Sequence, residues 1–278
     1  MSLDNTMHTS SLSWTRRLST LFLTVWVSLA PSVAFLTLAP QPIRAAASPD
    51  AAPIIPLIDA GMKARLREIL TRGLAAGNRA NVFIKVGDSI TATGSFLVDV
   101  GCGSATLGSY TSLSSIITYY QEQSFPLNYN PSWCSDRVSN AFTRGSLAAV
   151  SGWTADKALD PAELENGSRA SGCTGAYANP LRCEIHTMHP AVALIMFGTN
   201  DLAFNSSPAL FKSQLTAVVR QSIADGVIPV ISTIPTRLDE SAFPARVTAY
   251  NQAIMEVGEA EQVPVWNYWR SMRDLPNQ

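Results

Sequence analysis

The feature that most constrains the fold is an uninterrupted apolar run at residues 191–197, which ends directly at Gly198. A short run with no polar residue at any position is typical of a strand buried on both faces, as in the parallel sheets of α/β proteins. Downstream of this run, strand-like and helix-like segments alternate. That alternation predicts a parallel sheet whose strands are connected by crossover helices.

The remaining elements follow from hydrophobic periodicity and turn residues. Further strands are predicted at 81–86, 227–234 and 263–269, and helices at 58–76, 110–123, 208–225 and 241–261. The stretch 124–183 is rich in Asn, Ser, Gly and Pro, so we expect long loops around short elements there. These segments predict one α/β domain.

The N-terminus has the pattern of an export signal. Arg16 and Arg17 precede two apolar pieces, 18–30 and 33–39, and small residues follow at 45–47. This is the order of a signal peptide with its cleavage site, which predicts a secreted or extracytoplasmic protein. An uncleaved membrane anchor is the alternative, because the two apolar pieces together approach the length that spans a bilayer.

Composition and charge limit the partners. The formal net charge is −1, and the basic residues form no dense run, which argues against a nucleic-acid-binding surface. Cysteines and histidines are not spaced as metal ligands, so neither a metal nor a cofactor is predicted. We divide the chain into a signal peptide or anchor (1–47), a linker with the N-terminal helix (48–80) and the α/β domain (81–278).

The four cysteines fit two disulfides, because export places a chain in an oxidising compartment. Three pairings are possible. We favour Cys102 with Cys134, which would tie the segment after the first strand, and Cys173 with Cys183, which would close a loop rich in Gly, Asn and Pro.

Three short motifs carry candidate catalytic groups. Ser89 follows Gly87 and Asp88 at the end of the first strand, and Asn200 follows the apolar run, so both are expected at the carboxyl edge of the sheet. Gly152 could bring a bare main-chain N–H close to a substrate oxygen. Each alone reads equally well as a turn or a helix cap. Together they supply a hydroxyl and three donors for a developing oxyanion: the Ser89 and Gly152 N–H groups and the Asn200 amide.

In these motifs the chain resembles the SGNH hydrolases, also called GDSL-like lipases and esterases. The matching blocks are KVGDSIT at 85–91, SGWT at 151–154 and GTND at 198–201. The resemblance extends from about residue 81 to the end of the chain. It implies a three-layer α/β/α fold with a parallel, flavodoxin-like sheet, Ser89 as nucleophile, Gly152 and Asn200 in the oxyanion hole, and no cofactor.

The family's fourth block, an Asp-x-x-His motif whose histidine is the general base, is absent from this chain. Asp274 has Asn277 rather than His at the corresponding spacing. We therefore expect a C-terminally truncated hydrolase domain that is inactive as it stands, with a non-catalytic relative as the alternative.

None of the three histidines is expected to replace that base. His8 belongs to the leader, and His186 and His189 precede the strand whose far end carries Asn200. A strand of seven or eight residues spans about 25 Å. A general base must lie within hydrogen-bonding reach of the nucleophile, so both are expected at the wrong edge of the sheet.

Two functions follow from this reading. The first is a secreted serine hydrolase that cleaves carboxylic esters of small molecules, lipids or acylated sugars, with possible membrane association if the leader is retained. The second is a non-catalytic module on the same fold that binds extracellular polysaccharide through Trp133, Trp153 and Tyr177. A nucleotide binder is disfavoured, since the glycines at 101 and 103 follow no clear strand.

Overall fold

A computed structural model describes residues 46–125, 134, 139–165, 173–239, 241–273 and 275. The predicted signal peptide or anchor, except for its last two residues, lies outside the described part of the chain, as do His8, Trp133, Asp274 and Asn277. Among the described helices, none is long and apolar enough to cross a bilayer.

Helices and strands alternate along the chain. In order, they are α1 (Ala60–Ala75), β1 (Arg79–Gly87), α2 (Ser89–Ala92), α3 (Val98–Gly101), α4 (Ser114–Gln121), α5 (Ala162–Glu165), α6 (Pro180–Met188), β2 (Pro190–Met196), α7 (Thr199–Ala203), α8 (Pro208–Ala224), β3 (Ile228–Ser232), α9 (Phe243–Glu261), β4 (Val265–Trp266) and α10 (Tyr268–Arg273).

The four strands form one parallel sheet in the order β1-β2-β3-β4. On the free side of β1, an isolated parallel bridge pairs Gly87 with Ala149. The predicted α/β class with a parallel sheet is therefore confirmed. Because all strands run the same way, the residues that follow β1 and β2 emerge at one edge of the sheet.

The two faces of the sheet are covered unequally. On one face, Ile195 and Ile231 join a large core with Leu215 and Val218 of α8 and Ile254 of α9, all almost fully buried. The other face carries a smaller cluster in which Phe83 packs edge-to-face against Phe142 and the partly buried Tyr120 of α4. Helices thus lie on both sides of the sheet, as a three-layer arrangement requires.

The last predicted strand is shorter than expected. Residues 263–269 were predicted as a strand, but β4 contains only Val265 and Trp266, and α10 begins at Tyr268. The buried side chain of Asn267 accepts hydrogen bonds from the Arg270 N–H (3.3 Å) and the Thr233 hydroxyl (3.3 Å). An Asn that accepts an N–H three residues on starts a helix, which ends the strand at this point.

Part of the predicted linker is docked on the domain. The Asn267 amide donates to the carbonyls of Pro49 (2.7 Å) and Ala52 (3.2 Å), and the Asn267 N–H donates to Ile54 O (3.0 Å). Asp50 also forms an ion pair with Arg273 at 2.7 Å. We call residues 49–54 the N-terminal strap.

Two disulfides are present. Cys102 pairs with Cys134 across 32 residues, and Cys173 pairs with Cys183 across 10 residues. These are the two pairings favoured from the sequence. The second bridge joins the loop before α6 to that helix. The first residues of α6 fall within the stretch 124–183, for which the sequence predicts loops around short elements.

Candidate active site

Ser89 occupies the first turn after β1. Asp88 caps α2 by accepting a hydrogen bond from the Ile90 N–H at 3.0 Å. Asp88 and Gly87 are buried, whereas Ser89 is exposed, so the turn presents the serine to solvent at the carboxyl edge of the sheet. A Cβ on Gly87 would lie 2.4 Å from the Met196 carbonyl oxygen, so only glycine permits this close return of the chain.

The loop that carries Gly152 is held against the end of β1 by main-chain hydrogen bonds. The Gly87 N–H donates to Ala148 O (2.9 Å), and the Val150 N–H donates to Gly87 O (3.0 Å). Gly152 itself is exposed and has φ +85°, with open space where a side chain would be. Its main chain is therefore accessible close to the turn that carries Ser89.

Asn200 links the third motif to the second. It lies in α7, a helix that begins directly after Gly198, two residues beyond the end of β2. Its side-chain amide donates to the Trp153 carbonyl at 2.9 Å. A primary amide has two N–H groups, so one donor remains for another acceptor. The adjacent Asp201 accepts the Ala155 N–H at 3.2 Å. The structure thus brings all three predicted motifs to one edge of the sheet.

Two buried carboxyl groups, those of Asp88 and Asp201, lie at this edge of the sheet. Burial raises the pKa of Asp88 to about 6, although the Ile90 N–H and the nearby Thr199 hydroxyl favour its charged form. Burial also raises the pKa of Asp201 to about 6, and repulsion from Asp156 and Asp88 adds to the rise. One oxygen of each carboxyl, Oδ2, has no hydrogen-bond partner in the described structure. Both groups are therefore poised to bind a proton in mildly acidic solution.

The two histidines that the structure describes lie at the other edge of the sheet. His186 belongs to α6 and stacks on Tyr177 with ring centroids 3.8 Å apart. His189 ends α6 and precedes β2, and its carbonyl accepts the Arg79 N–H at the start of β1. Burial lowers the pKa of His189, helped by the positive charges of Arg79 and His186. Within the described residues, no histidine is close to Ser89.

Of the aromatic residues expected for polysaccharide binding, the two that the structure describes lie apart. Trp153 is only 8% exposed and belongs to the main core. Tyr177 stacks on His186 at the amino edge of the sheet, and Trp133 lies outside the described residues. The prediction is wrong for Trp153, because an aromatic side chain in a polar loop region can still pack inward against the core.

Sequence reasoning missed the charged groups beside the site. Lys85 of β1 and Arg144 are each only 5% exposed, and Arg144 forms a bidentate ion pair with the fully buried Glu184. Arg144 and Glu184 lie 40 residues apart in regions without periodicity, so no local pattern connects them. The signal for Lys85 was a lysine within the otherwise apolar run at residues 82–86.

Comparisons with known proteins find a matching family model and several similar solved structures. A family model described as "GDSL-like Lipase/Acylhydrolase family" matches residues 86–278, more than half of the chain. A lipase/acylhydrolase from Enterococcus faecalis is similar in structure, with 18% identity, 70% of this chain and 79% of that chain covered, and a TM-score of 0.42. A family 3 carbohydrate esterase from Clostridium thermocellum is 16% identical, covering 67% and 77% of the two chains with a TM-score of 0.39. Comparison with curated protein sequences finds no match.

Proposed function

Since the chain belongs to the GDSL-like lipase/acylhydrolase family, we propose that it is built to hydrolyse carboxylic esters with Ser89 as the nucleophile. The observation that carries this proposal is the convergence of three motifs at one edge of the sheet. Main-chain bonds from Gly87 to residues 148 and 150, and the bond from Asn200 to Trp153, hold them together. The substrate class we propose is an ester of a small molecule, a lipid or an acylated sugar.

In the first step the Ser89 oxygen attacks the ester carbonyl while a base removes the hydroxyl proton. The carbon–oxygen double bond opens to an oxyanion, and the alcohol then leaves with a proton from the same base. Water attacks the acyl-enzyme in the second step and releases the acid. The exposed position of Ser89 supports this role, because an ester can approach it from solvent.

The oxyanion would be held by main-chain and side-chain donors from the three motifs. They are the N–H groups of Ser89 and Gly152 and the second amide N–H of Asn200. The Asn200 bond to the Trp153 carbonyl fixes the orientation of that amide before any substrate arrives. Donors fixed in advance need no reorganisation as charge develops, and one such donor contributes roughly a hundredfold or more to the rate.

The general base is proposed to come from outside the described residues. Both described histidines lie at the amino edge of the sheet, beyond proton-transfer reach of Ser89. Without a base the serine hydroxyl is a poor nucleophile, and removing one member of such a catalytic unit can abolish most of the rate. We therefore propose that the chain as it stands has little esterase activity.

Added imidazole tests the proposal on the chain itself, because it can act as a diffusible base. Hydrolysis of p-nitrophenyl acetate is measured with and without imidazole, for the wild type, Ser89→Ala and the exposed-serine control Ser95→Ala. Imidazole also cleaves this ester without protein, so the protein-free rate at the same imidazole concentration is subtracted. We then expect imidazole to accelerate turnover by the wild type and Ser95→Ala, and to give no acceleration with Ser89→Ala. Equal acceleration in all three proteins would overturn the assignment of Ser89.

A second experiment restores the base covalently. A longer gene product that carries an Asp-x-x-His motif after residue 278 should hydrolyse the same ester without imidazole, and Ser89→Ala should abolish that activity. An extended protein that contains the motif, folds and still cleaves no ester would refute the enzyme proposal.

We also propose that the protein is exported. Two disulfides among the described cysteines support this, because such bonds persist in oxidising compartments. N-terminal sequencing of the protein from a secreting host tests it: a mature chain that begins near residue 48 is expected, whereas intact protein retained in the cytoplasm with free thiols would contradict it.

A further inference from the structure

A cleft of about 500 Å³ opens between segments that are adjacent in sequence to Ser89 and Gly152. It is lined by Lys85 of β1, residues 91–93 at the end of α2, Val98, and residues 144–147 and 149–151. Pockets of this size commonly hold small molecules. Its walls adjoin the site at two points, since α2 begins at Ser89 and Ser151 precedes Gly152. We call it the Lys85 cleft.

The charge balance of the cleft is positive. The Glu184 carboxylate is occupied by Arg144 and by the Leu147 N–H at 3.0 Å. Lys85 donates to the Phe142 carbonyl at 3.0 Å and forms no ion pair among the described residues. An ammonium group has three N–H donors, so this buried lysine retains donors and an uncompensated charge.

A buried cation without an ion-pair partner is costly, and the pKa of Lys85 reflects that cost. Burial and the neighbouring Arg144 charge lower the pKa of Lys85 to about 8, while Glu184 acts in the opposite direction. Lys85 therefore remains largely protonated at neutral pH. An anion that enters the cleft would relieve the cost by supplying the missing counter-charge.

We propose that the Lys85 cleft is a subsite for a carboxylate group carried by the ester substrate, with Lys85 as its charge partner. The ester carbonyl would then lie at Ser89 while the carboxylate lies in the cleft. One spare cation matches a monoanion, which favours a carboxylate over a phosphate dianion. The assumption that the ligand is an ester rests on the proposed function, but binding in the cleft can be measured separately from ester cleavage.

Binding is tested with a matched pair of esters in the Ser89→Ala background, where no turnover can occur. Calorimetry compares monomethyl succinate, which is anionic, with methyl butyrate, which is neutral and of similar size. We expect the anionic ester to bind at least about tenfold more tightly. Lys85→Met should weaken its binding by about tenfold to a hundredfold, the range for a lost charge-assisted hydrogen bond, and leave methyl butyrate unchanged. Lys63→Met, which removes an exposed lysine of α1, is the matched control and should leave both affinities unchanged.

A second pair of variants keeps the test decisive if Lys85→Met does not fold. Ala92 is exposed at the cleft wall, so Ala92→Glu should weaken monomethyl succinate binding by repulsion, whereas Ala92→Gln should not. The proposal would be overturned if monomethyl succinate bound equally tightly to Lys85→Met and to the protein that retains Lys85. Tighter binding of methyl phosphate than of monomethyl succinate would overturn the choice of a carboxylate. Because all these ligands are scored by binding, failure of the esterase assays remains a separate result.

Discussion

At the residue scale, the site depends on side chains that do no chemistry themselves. Asp201 is buried beside Asn200 and accepts the N–H of Ala155, so it holds the Gly152 loop against α7. Holding a carboxyl group in this environment has a cost, because burial favours its protonated form. That cost makes the contribution of Asp201 to stability depend on pH.

Asp201→Asn tests this dependence. The folded-state pKa of about 6 lies above the ordinary 3.8, so the folded protein holds the proton more tightly and the carboxyl contributes most to stability below about pH 4. That contribution declines as pH rises through about 6 and amounts to about 3 kcal/mol in total. Asn keeps the acceptor but does not titrate. Urea unfolding at pH 4 and pH 7.5 should therefore show the wild type losing stability relative to Asp201→Asn as pH rises.

The control variant, Asp160→Asn, should show the opposite dependence of stability on pH. The Ala162 N–H and Lys157 lower the pKa of Asp160. Wild type should therefore gain stability relative to Asp160→Asn as pH rises from the acidic range. Parallel stability profiles for wild type and Asp201→Asn would show that Asp201 is not the buried acid described here.

Gly87→Ala should destabilise the protein by about 1 to 3 kcal/mol or more. A Cβ there would lie 2.4 Å from the Met196 carbonyl oxygen. Because the overlap is with a main-chain atom, it can be relieved only by shifting β2. Gly61→Ala in the first turn of α1 is the matched control, since its nearest neighbour is an Asp59 oxygen at 3.4 Å. It should raise stability by up to about 1 kcal/mol. Thermal unfolding of both variants measures the contrast, and equal melting temperatures would contradict it.

Sequence patterns identified the ends of the strands but not the bonds between them. Ser89 and Asn200 could be assigned to one edge because parallel strands end together, and the structure agrees. The bond from Asn200 to Trp153 could not be foreseen, because it depends on how a loop 47 residues away folds. The Lys85 cleft was missed for the same reason: the partners of Glu184 come from a segment with no periodicity.

At the scale of elements, the start of α10 and the N-terminal strap depend on Asn267. Its buried side chain accepts from Arg270 and Thr233 and donates to Pro49 and Ala52. Asn267→Ala should lower the free energy of unfolding by about 2 to 4 kcal/mol, because several buried polar groups lose their partner.

The matched control is Asn81→Ala, which removes an exposed amide bonded to Glu122 and should cost less than about 0.5 kcal/mol. Limited proteolysis separates strap release from general destabilisation. Asn267→Ala should be cut within residues 49–58 under conditions that leave the rest of the domain intact. Uniform cleavage along the chain would contradict a local role for this residue.

The strap and β4 also show where element prediction reached its limit. Residues 51–56 are rich in Pro and were assigned to a linker, but a Pro-rich segment can dock through its carbonyls, which need no periodicity. The predicted strand 263–269 continued past Trp266 because Tyr268 and Trp269 favour strands. The capping side chain of Asn267 overrides that preference.

At the scale of the whole molecule, the two disulfides should contribute unequally. The chain-entropy model gives about 4 kcal/mol for the 32-residue span of Cys102–Cys134 and about 3 kcal/mol for the 10-residue span of Cys173–Cys183. Replacing each pair with serine and measuring urea unfolding tests the order. A larger loss for the Cys173–Cys183 pair would contradict it and point to native contacts of that loop instead.

The fold class was accessible from the sequence because alternating strand and helix patterns admit few topologies. The site was accessible only in part, since its donors come from short motifs but its supporting contacts come from distant loops. The ion pair of Arg144 with Glu184 is such a contact, since it joins residues 40 positions apart that no local pattern connects.

The N-terminal strap has a consequence for the order in which the molecule is completed. Pro49 and Asn267 are 218 residues apart, yet they share a buried hydrogen bond. During synthesis the strap therefore emerges 218 residues before the side chain that holds it. The strap must therefore stay undocked until Asn267 has been made, so a segment synthesised early in the domain is buried only after the four strands of the sheet are complete.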